Sequence, residues 1–358
     1  MKAVVLVGGE GTRLRPLTLS APKQMLPIVG VPMIERVLSE LAKHGVDEAI
    51  LSLGYLPDAF AEAYPSGSAS GVRLVYAVES EPLDTAGAVR FAANFAGIDE
   101  TFLVVNGDVL TDLDVSALIA FHRDKQAEGT IALHPVRDPS AFGVVPTDAE
   151  GRVTAFVEKP PREEAPTNEI NAGTYVLEPS VLKRIPASGR VSIERETFPA
   201  MVRDGGLFAL SDDAYWLDTG TPAAFLRANQ DILEGKRSLP PSPGAHLVSG
   251  EIWASGEPVL AGQLSGACWI GEGAVIAETA VVERSVIGPG SVVEAGATVT
   301  GSILLEGSRV AQKSSVENSI LGPGSTIGER CTIHGISVLG NGAMVASGSQ
   351  IDAERIPG

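Results

Sequence analysis

Short apolar runs alternate with helix-like stretches over the first 235 or so residues. The strand candidates are runs rich in Val, Ile and Leu: Ala3–Val7, Glu48–Leu53, Arg73–Val78, Thr101–Val105 and Thr130–Pro135. Between them apolar residues recur at helical spacing, and the helix candidates are Ile34–Leu41, Ala86–Phe95 and Val115–Gln126. This alternation predicts an α/β fold of Rossmann-like type, with a mixed, mainly parallel sheet between helices.

The pattern changes after Gln230. The stretch EGKRSLPPSPG, from Glu234 to Gly244, has three prolines, two glycines and no apolar periodicity, as in a linker. Beyond it aliphatic residues recur in steps of six, six and five, so that the pattern closes every 17 residues: Ile270, Ile276, Val282, Ile287, Val293, Val299, Leu304, Val310, Val316, Leu321, Ile327 and Ile333, then Leu339, Val345 and Ile351 one residue late. A hexapeptide repeat with three strands per turn predicts a left-handed parallel β-helix. The predicted organisation is an α/β domain over 1–235, a linker over 236–250, the β-helix over 251–352 and a tail over 353–358.

The composition excludes some classes of binding partner. A formal charge of −17 over 358 residues argues against a general nucleic-acid or membrane-surface binder, because those proteins need a basic face. It leaves room for a small anion held by a few local cations. The two cysteines, Cys268 and Cys331, form neither a disulfide framework nor a metal-binding spacing. The chain shows no signal peptide and no run long enough to cross a membrane, so we expect a cytoplasmic protein.

The first strand opens into an unusual loop, LVGGEGTRLRPLTLSAPKQMLP, from Leu6 to Pro27. It is not a P-loop, because it has no Gly-Lys-Ser/Thr run. It is not a dinucleotide fingerprint either, because the third glycine of that motif is missing. Glycines after a strand still let backbone N–H groups approach anionic oxygens, and Arg13, Arg15 and Lys23 add charge suited to phosphate. Ligands of such sheets bind at the carboxyl ends of strands, where this loop begins. The loop therefore favours phosphate binding over a solvated basic turn.

Several motifs occur in one order along the chain. They are GGEGTRL (8–14) with Pro22-Lys23 and Leu26-Pro27, EPLDTAGA (81–88), NGD (106–108), FGVV (142–145), VEKP (157–160), INAGTYV (170–176) and WLDTGTP (216–222). Together with the hexapeptide repeat, they resemble the sugar-1-phosphate nucleotidylyltransferases over nearly the whole chain. Within that family the wording is most similar to the short mannose-1-phosphate guanylyltransferases that carry a β-helix. The resemblance implies transfer of a nucleotidyl group from a nucleoside triphosphate to a sugar 1-phosphate, with release of pyrophosphate and Mg²⁺ as cofactor.

The same resemblance assigns roles to individual residues. The catalytic residues are Arg13, Lys23 and Asp108, and Asp108 and Asp218 are the metal ligands. The nucleotide-binding set comprises Val7, Gly8, Gly9, Gly11, Thr12, Arg13, Lys23, Glu81, Pro82, Thr85, Ala86 and Gly87. The sugar-phosphate set comprises Asn106, Gly107, Gly143, Glu158, Lys159, Asn171, Gly173, Tyr175 and Trp216. Without the family, Asp108 and Asp218 read equally well as turn or cap residues, and Glu158-Lys159 as a salt-bridged hairpin.

One position departs from the family pattern. Where relatives read Leu-Gly-Thr-Ala, this chain has Leu83-Asp84-Thr85-Ala86. Three roles for Asp84 stay open: accepting hydrogen bonds from guanine, facing solvent, or reshaping the sugar side of the site.

The substrate pair is also open on the sequence. GTP with mannose 1-phosphate is the first choice. The alternatives are dTTP, UTP or ATP with glucose 1-phosphate, and GTP with a cyclitol phosphate such as valienol 1-phosphate. A catalytically inactive regulatory subunit is a further alternative, although Arg13, Lys23, Asp108 and Asp218 are all present. Because an exposed β-helix commonly packs against another copy, we expect a homo-oligomer.

Overall fold

The computed structural model describes residues 1–237 and 242–358, which form two compact units. The first unit comprises Met1–Gly9 and Ile34–Trp216, and the second comprises Glu10–Met33 and Leu217–Gly358. Residues 238–241, in the predicted linker, lie outside the described residues. Another part of that linker range, His246–Ser249, is a β-strand. The domain boundaries at 235 and 250 stay a prediction.

The first unit is built on a ten-stranded mixed sheet. In spatial order eight of its strands are Val157–Glu158, Gly143–Val144, Glu169–Leu177, Phe102–Asn106, Lys2–Leu6, Glu48–Leu53, Val72–Val78 and Ser68–Ala69. Gly129–Pro135 also pairs with Glu169–Leu177, and Leu207–Ser211 pairs with Gly129–Pro135. The four strands from Phe102–Asn106 to Val72–Val78 are parallel. The three inner strands carry buried apolar runs, as expected for strands covered on both faces, whereas Val72–Val78, next to the edge strand, has exposed positions.

The described residues contain six α-helices: α1 (Met33–Lys43), α2 (Asp58–Ala63), α3 (Asp84–Phe95), α4 (Val115–Asp124), α5 (Phe198–Asp204) and α6 (Pro222–Leu233). Of these, α1, α3 and α4 lie where the apolar periodicity predicted helices. Shorter 3-10 turns span Thr12–Leu14, Leu17–Leu19, Lys23–Met25, Arg162–Glu164 and Pro179–Arg184, and Ile193–Thr197 is a π-helical turn. The α/β fold class is confirmed.

Register places two functional segments at one edge of this sheet. Leu6, at the end of the first strand, lies beside Asn106, at the end of the neighbouring parallel strand. Gly8 and Asp108 therefore follow two adjacent carboxyl ends, the edge where α/β sheets bind ligands. A short strand, Val109–Thr111, continues from Asp108, and Trp216–Asp218 is the last strand before α6.

The second unit contains the repeat, folded as three sheets of short strands. The first sheet holds His246–Ser249, Ile252–Ala254, Cys268–Ile270, Val286–Ile287, Ile303–Leu304, Ile320–Leu321, Val338–Leu339 and Arg355–Ile356. The second holds Val259–Leu260, Val275–Ile276, Val292–Val293, Arg309–Val310, Thr326–Ile327 and Met344–Val345. The third holds Gln263–Ser265, Val281–Glu283, Thr298–Thr300, Ser315–Glu317, Thr332–His334 and Gln350–Asp352. Pairing is parallel except for His246–Ser249, an arrangement consistent with a left-handed β-helix.

The strand register repeats the spacing read from the sequence. Ile276 pairs with Val293 and Val293 with Val310, each 17 residues apart and each fully buried. The extra residue before Leu339 is taken up at Gly335-Ile336, where both backbones have positive φ (74° and 63°). Burying one such aliphatic side chain stabilises a fold by about 1.5–3 kcal/mol, so the inward stack accounts for the stability of the coils.

The second unit also holds a small hairpin of Pro27–Ile28 with Val31–Pro32, whose strands pair antiparallel. Across the described residues, no helix is both long and apolar enough to span a bilayer.

Candidate active site

The part of the opening loop that belongs to the second unit, from Glu10 to Pro27, is ordered by its own contacts. Gly11 has φ +62°, and its carbonyl accepts a hydrogen bond from the buried hydroxyl of Thr18 at 2.9 Å. A Cβ at Gly11 would lie 2.9 Å from Thr18 Cγ2 and 3.2 Å from Lys23 Cβ. Glycine is thus required both by the left-handed backbone and by the close approach of Lys23. This packing fixes where the Lys23 side chain leaves the loop.

Arg13 lies in the 3-10 turn Thr12–Leu14, beside Asp218 of the same unit. Its Nη2 is 3.8 Å from Asp218 Oδ2, and 60% of the Arg13 side chain is exposed, so the pair adds little to stability. Asp218 Oδ1 accepts a hydrogen bond from Gly220 N at 2.8 Å. A Cβ at Gly220 would overlap the Arg13 guanidinium. The guanidinium therefore lies over a glycine that leaves room for it.

The other members of the loop are less engaged. Thr12 is exposed, and Arg15 Nη2 pairs with Glu10 Oε2 at 2.7 Å on the surface.

In the first unit the end of the first strand packs closely on its neighbours. The amide of the buried Val7 donates to the Ser52 carbonyl at 3.2 Å. A Cβ at Gly8 would lie 3.4 Å from Gly54 N and 3.6 Å from Glu79 Oε1. Gly9, which follows, is exposed. The end of the first strand thus presents the backbone of Gly8 and Gly9, and the Glu79 carboxylate lies beside Gly8.

The segment 79–87 is held by hydrogen bonds that fix its backbone. Glu79 accepts from the Ser52 hydroxyl at 2.8 Å and from the Leu83 amide at 3.0 Å. The Thr85 hydroxyl donates to Glu194 Oε2 and accepts from the Ile193 amide, both at 2.8 Å. The side chain of Thr85 therefore serves structure, and its role toward a nucleotide would be through the backbone it fixes.

The other predicted nucleotide-binding residues of segment 79–87 differ in how firmly they are held. The amides of Ala86 and Gly87 both donate to the Val191 carbonyl, at 2.9 and 3.2 Å. Glu81 and Pro82 are exposed. The inner half of the segment is thus anchored, and the outer half is accessible.

Asp84 has φ +60°, in the left-handed region that glycine favours. Its side chain is exposed, and Oδ1 accepts from the Thr85 amide at 2.8 Å. Glycine adopts this conformation freely, and aspartate is among the residues that tolerate it.

Asp108 reaches the same sheet edge through Gly107. The Gly107 amide donates to the Leu6 carbonyl at 3.0 Å, and a Cβ there would lie 2.6 Å from Val7 Cγ1. Gly107 thus allows the two strand ends to approach, and it places the half-buried Asp108 beyond them. Gly107 serves packing. Asp108, which follows it, has the carboxylate that could bind a ligand or a metal ion.

Glu158 and Lys159 lie against Gly143 on the paired strands of the sheet edge. Gly143 is opposite Glu158 in the register, and a Cβ at Gly143 would lie 2.8 Å from the Phe156 ring and 3.1 Å from Glu158 Oε2. Lys159 Nζ is 2.5 Å from Glu158 Oε1, and Lys159 has φ +51°. The predicted sugar-site pair is therefore an exposed ion pair in this structure.

A second cluster joins Asn106, Asn171, Gly173 and Tyr175. Asn171 Oδ1 accepts from the Gly173 amide at 3.0 Å, and Nδ2 donates to the Tyr175 hydroxyl at 2.9 Å. Gly173 has φ +75°, and a Cβ there would lie 2.5 Å from Asn106 Nδ2. Burial raises the pKa of Tyr175, and the carboxylate of Glu194 raises it further. Tyr175, 1% exposed, therefore orients Asn171 and lies behind the surface.

Trp216 lies next to this cluster in the first unit. Its Nε1 donates to the Ala172 carbonyl at 2.9 Å, and its ring stacks on His134 with a centroid distance of 5.5 Å. Phe142 meets the same ring edge-on.

Sequence reasoning missed several residues that organise these segments. Glu79, Glu194 and His134 belong to no motif quoted above, and Gly220 lies in one without having received a role. Because each acts through a partner distant in the chain, its spacing along the sequence carries no signal. The gap of 109 residues between Thr85 and Glu194 is an example.

The donor chemistry suits a hard divalent cation. Asp218 uses Oδ1 for the Gly220 amide and directs Oδ2 toward Arg13. Asp108, in the first unit, is also a half-buried carboxylate. Carboxylate oxygens together with phosphate oxygens are the ligands Mg²⁺ prefers. Each residue fits as a ligand.

Two family models match the chain. The model described as Nucleotidyl transferase matches residues 2–235, and the GMPPB C-terminal domain matches residues 264–356. Enzymes of the nucleotidyltransferase family generally use a divalent metal ion.

Named relatives and solved structures agree with the family models. A Mannose-1-phosphate guanylyltransferase of Mycobacterium tuberculosis is 43% identical over 79% of this chain and 83% of its own length. A Mannose-1-phosphate guanyltransferase of Emericella nidulans is 44% identical over 63% of this chain, which spans 62% of that relative. The crystal structure of HddC from Yersinia pseudotuberculosis is 30% identical with a TM-score of 0.56, covering 64% of this chain and 98% of that one.

A putative glucose-1-phosphate thymidylyltransferase from Bacillus anthracis has a TM-score of 0.57 at 25% identity, covering 64% of this chain and 94% of that one. Family model, relatives and fold therefore converge, and the chain belongs to the nucleotidyl transferase family as a nucleotidyltransferase enzyme.

Proposed function

We propose that the protein transfers the guanylyl group of GTP to mannose 1-phosphate, giving GDP-mannose and pyrophosphate. The observation that carries the proposal is the arrangement in the second unit. There Arg13 lies over Gly220 beside Asp218, and Lys23 packs against Gly11. The substrate pair is supported by relatives named mannose-1-phosphate guanylyltransferase.

Both reactants are anions, so the protein's contribution is charge and position. An oxygen of the sugar phosphate attacks the α-phosphorus, the bond from that phosphorus to the bridging oxygen breaks, and pyrophosphate leaves. Arg13 offers a planar pair of N–H donors to the triphosphate, and Lys23 offers a point charge. Donors that meet charge developing at the α-phosphorus lower the barrier, and no protein nucleophile is needed.

Asp108 and Asp218 would hold Mg²⁺, which supplies charge neutralisation between the phosphates. The contact between Arg13 and Asp218 keeps the guanidinium near one of these carboxylates.

The sugar phosphate would bind along the first unit. Glu158 and Asn171 offer an acceptor and an amide to sugar hydroxyls, and Lys159 offers a cation to the phosphate. Gly143 leaves room for the Glu158 carboxylate and Gly173 for the Asn106 amide, since a Cβ at either glycine would crowd that side chain.

Pyrophosphate release tests the proposal directly. Purified protein is assayed with Mg²⁺ in a matrix of five nucleoside triphosphates against mannose, glucose and cyclitol 1-phosphates. The expected result is one dominant combination, GTP with mannose 1-phosphate. Dominant turnover elsewhere in the matrix would replace the substrate pair, and a folded protein silent in every combination would favour an inactive regulatory subunit.

Two variants test the residues. Arg13→Ala and Asp108→Asn are expected to lower kcat by about 10²- to 10³-fold while the protein stays folded. Arg203→Ala, which removes an exposed cation at the end of α5, is the matched control and is expected to leave kcat unchanged. Normal turnover in Arg13→Ala would show that its guanidinium does not act on the triphosphate.

The cytoplasmic location and the homo-oligomer stay predictions.

A further inference from the structure

A strained turn follows the segment that carries Lys23. The 3-10 turn Lys23–Met25 leads directly into the hairpin of Pro27–Ile28 and Val31–Pro32. The two residues at its tip, Val29 and Gly30, have φ +46° and +72°. Two-residue hairpins with both φ values positive strongly prefer Asn or Gly at the first position, and a β-branched residue is an outlier there. Something outside the hairpin must hold Val29 in this conformation.

Asn229 of α6 supplies that hold. Its Oδ1 accepts a hydrogen bond from the Val29 amide at 2.7 Å, and its Nδ2 donates to the Phe225 carbonyl at 2.8 Å. Because the Phe225 carbonyl only accepts and the Val29 amide only donates, the orientation of the Asn229 amide is fixed. Val29 is fully buried and Asn229 is 1% exposed, so water does not replace this bond.

The β-helix contacts the same turn at Gly30. A Cβ at Gly30 would overlap the ring of Trp269, which belongs to the strand Cys268–Ile270. Trp269 is itself buried, and its Nε1 donates to the hydroxyls of Ser242 and Ser255 at 3.0 and 3.2 Å. Two groups outside the hairpin therefore hold its tip: the Trp269 ring at Gly30 and the Asn229 oxygen at the Val29 amide.

The helix that carries Asn229 also begins at the metal-ligand candidate. Asp218 and Gly220 immediately precede α6, whose N-cap Thr221 accepts from the Ala224 amide at 3.2 Å. Asn229 thus ties the helix that follows Asp218 to the hairpin that follows Lys23.

We propose that Asn229 is a positioning residue for the nucleotidyl transfer. By holding Val29 in the left-handed region, it fixes the hairpin and with it the place of Lys23 relative to Asp218. This inference rests on the function proposed above, because Lys23 and Asp218 are there given to the triphosphate and its metal.

The test compares Asn229→Ala with Asn229→Asp in the full-length protein. Asn229→Ala removes the acceptor, so the Val29 amide should exchange with solvent deuterium much faster. The kcat/KM for GTP should fall about ten- to hundredfold, as misplacement of a binding group does, while the KM for mannose 1-phosphate stays unchanged. Asn229→Asp keeps the acceptor for Val29. In this buried site the new side chain is expected to stay the neutral acid, whose hydroxyl donates to the Phe225 carbonyl, because a carboxylate would face that carbonyl oxygen. This variant should keep the Val29 amide protected and keep most of the kcat/KM for GTP.

Ile327→Val, which removes one methylene from the fully buried β-helix core, is the control for lost stability alone. It should lower the melting temperature and leave both kinetic constants unchanged. The proposal is overturned by full turnover in Asn229→Ala with a freely exchanging Val29 amide. It is also overturned by losses in Asn229→Asp or Ile327→Val equal to those in Asn229→Ala.

Wild-type turnover of GTP with mannose 1-phosphate is measured first. Silence of the wild type would count against the proposed function, and the Val29 exchange rates would still report whether Asn229 holds the turn.

Discussion

Asp84 occupies a backbone conformation that few side chains tolerate. Its φ of +60° costs a residue such as Ala about 1–2 kcal/mol, whereas Gly adopts it freely. Among the contacts described above, the exposed carboxylate of Asp84 makes one hydrogen bond, which it accepts from the Thr85 amide. Asp84→Gly is therefore expected to leave the choice of nucleotide unchanged, and Asp84→Ala to lower stability by about 1 kcal/mol. Melting curves and the nucleoside triphosphate panel measure both effects, and relaxed selectivity in Asp84→Gly would assign base reading to the carboxylate.

Gly220 sets the place of the Arg13 guanidinium, also at the scale of one residue. A methyl group at Gly220 would overlap the far end of a flexible, mostly exposed side chain, so the fold can adapt but Arg13 must move. We expect Gly220→Ala to stay folded and to lose at least about tenfold in kcat, or ~1.4 kcal/mol of transition-state stabilisation. The check is a double-mutant cycle: in an Arg13→Ala background, Gly220→Ala should cost much less, since only the contact of the added methyl with Asp218 Oδ1, at 2.9 Å, then remains. Equal losses in both backgrounds would mean that Gly220 acts independently of Arg13.

The sequence predicted residue identities better than residue partners. Arg13, Lys23 and Asp218 were found because they lie inside motifs, and the structure places Arg13 beside Asp218. Asn229 was missed because it accepts from the Val29 amide, 200 residues away, and Glu79 because it accepts from the Ser52 hydroxyl, 27 residues away. Hydrophobic periodicity shows which face of an element is buried, and it does not show which amide a polar side chain meets.

At the scale of elements, the β-helix was predicted almost completely. A 17-residue period leaves one solution for the strand pairing, and Ile270, Ile287 and Leu304 stack as the spacing requires. What the period did not show is the polar ladder beside this stack. The buried Ser302 hydroxyl accepts from the Ser319 amide at 3.1 Å, and that of Ser285 accepts from the Ser302 amide at the same distance.

This ladder yields a prediction about stability. Ser302→Ala leaves the buried Ser319 amide without its acceptor, which should lower the free energy of unfolding by about 1–3 kcal/mol. Ser265→Ala, at an exposed serine in the same domain, should change it by less than about 0.5 kcal/mol. Denaturant unfolding gives both values, and kcat should be unaffected in each variant. A stability loss in Ser265→Ala as large as that in Ser302→Ala would remove the ladder as the cause.

At the scale of the whole molecule, chain order and compact units do not coincide. The motifs and the family model run continuously through residues 2–235, yet residues 10–33 group with the β-helix. The contacts that join them are between residues far apart in sequence. Gly30 lies on Trp269, and a Cβ at Gly340 would lie 3.2 Å from Pro16 Cβ. Because no local pattern in the opening loop shows these surfaces, sequence reasoning placed the loop with the sheet alone.

This grouping predicts which amides open together. Val316→Ala removes buried methyl groups from a β-helix strand and should destabilise the second unit by about 1–3 kcal/mol. Native-state hydrogen exchange should then quicken in the β-helix and, by a similar factor, in residues 10–33, because cooperative units open as wholes. The strand Phe102–Asn106 of the first unit should keep its wild-type rates. If residues 10–33 instead keep their rates and follow the sheet, the opening loop owes its order to the α/β unit, and the β-helix contacts at Gly30 and Gly340 do not hold it.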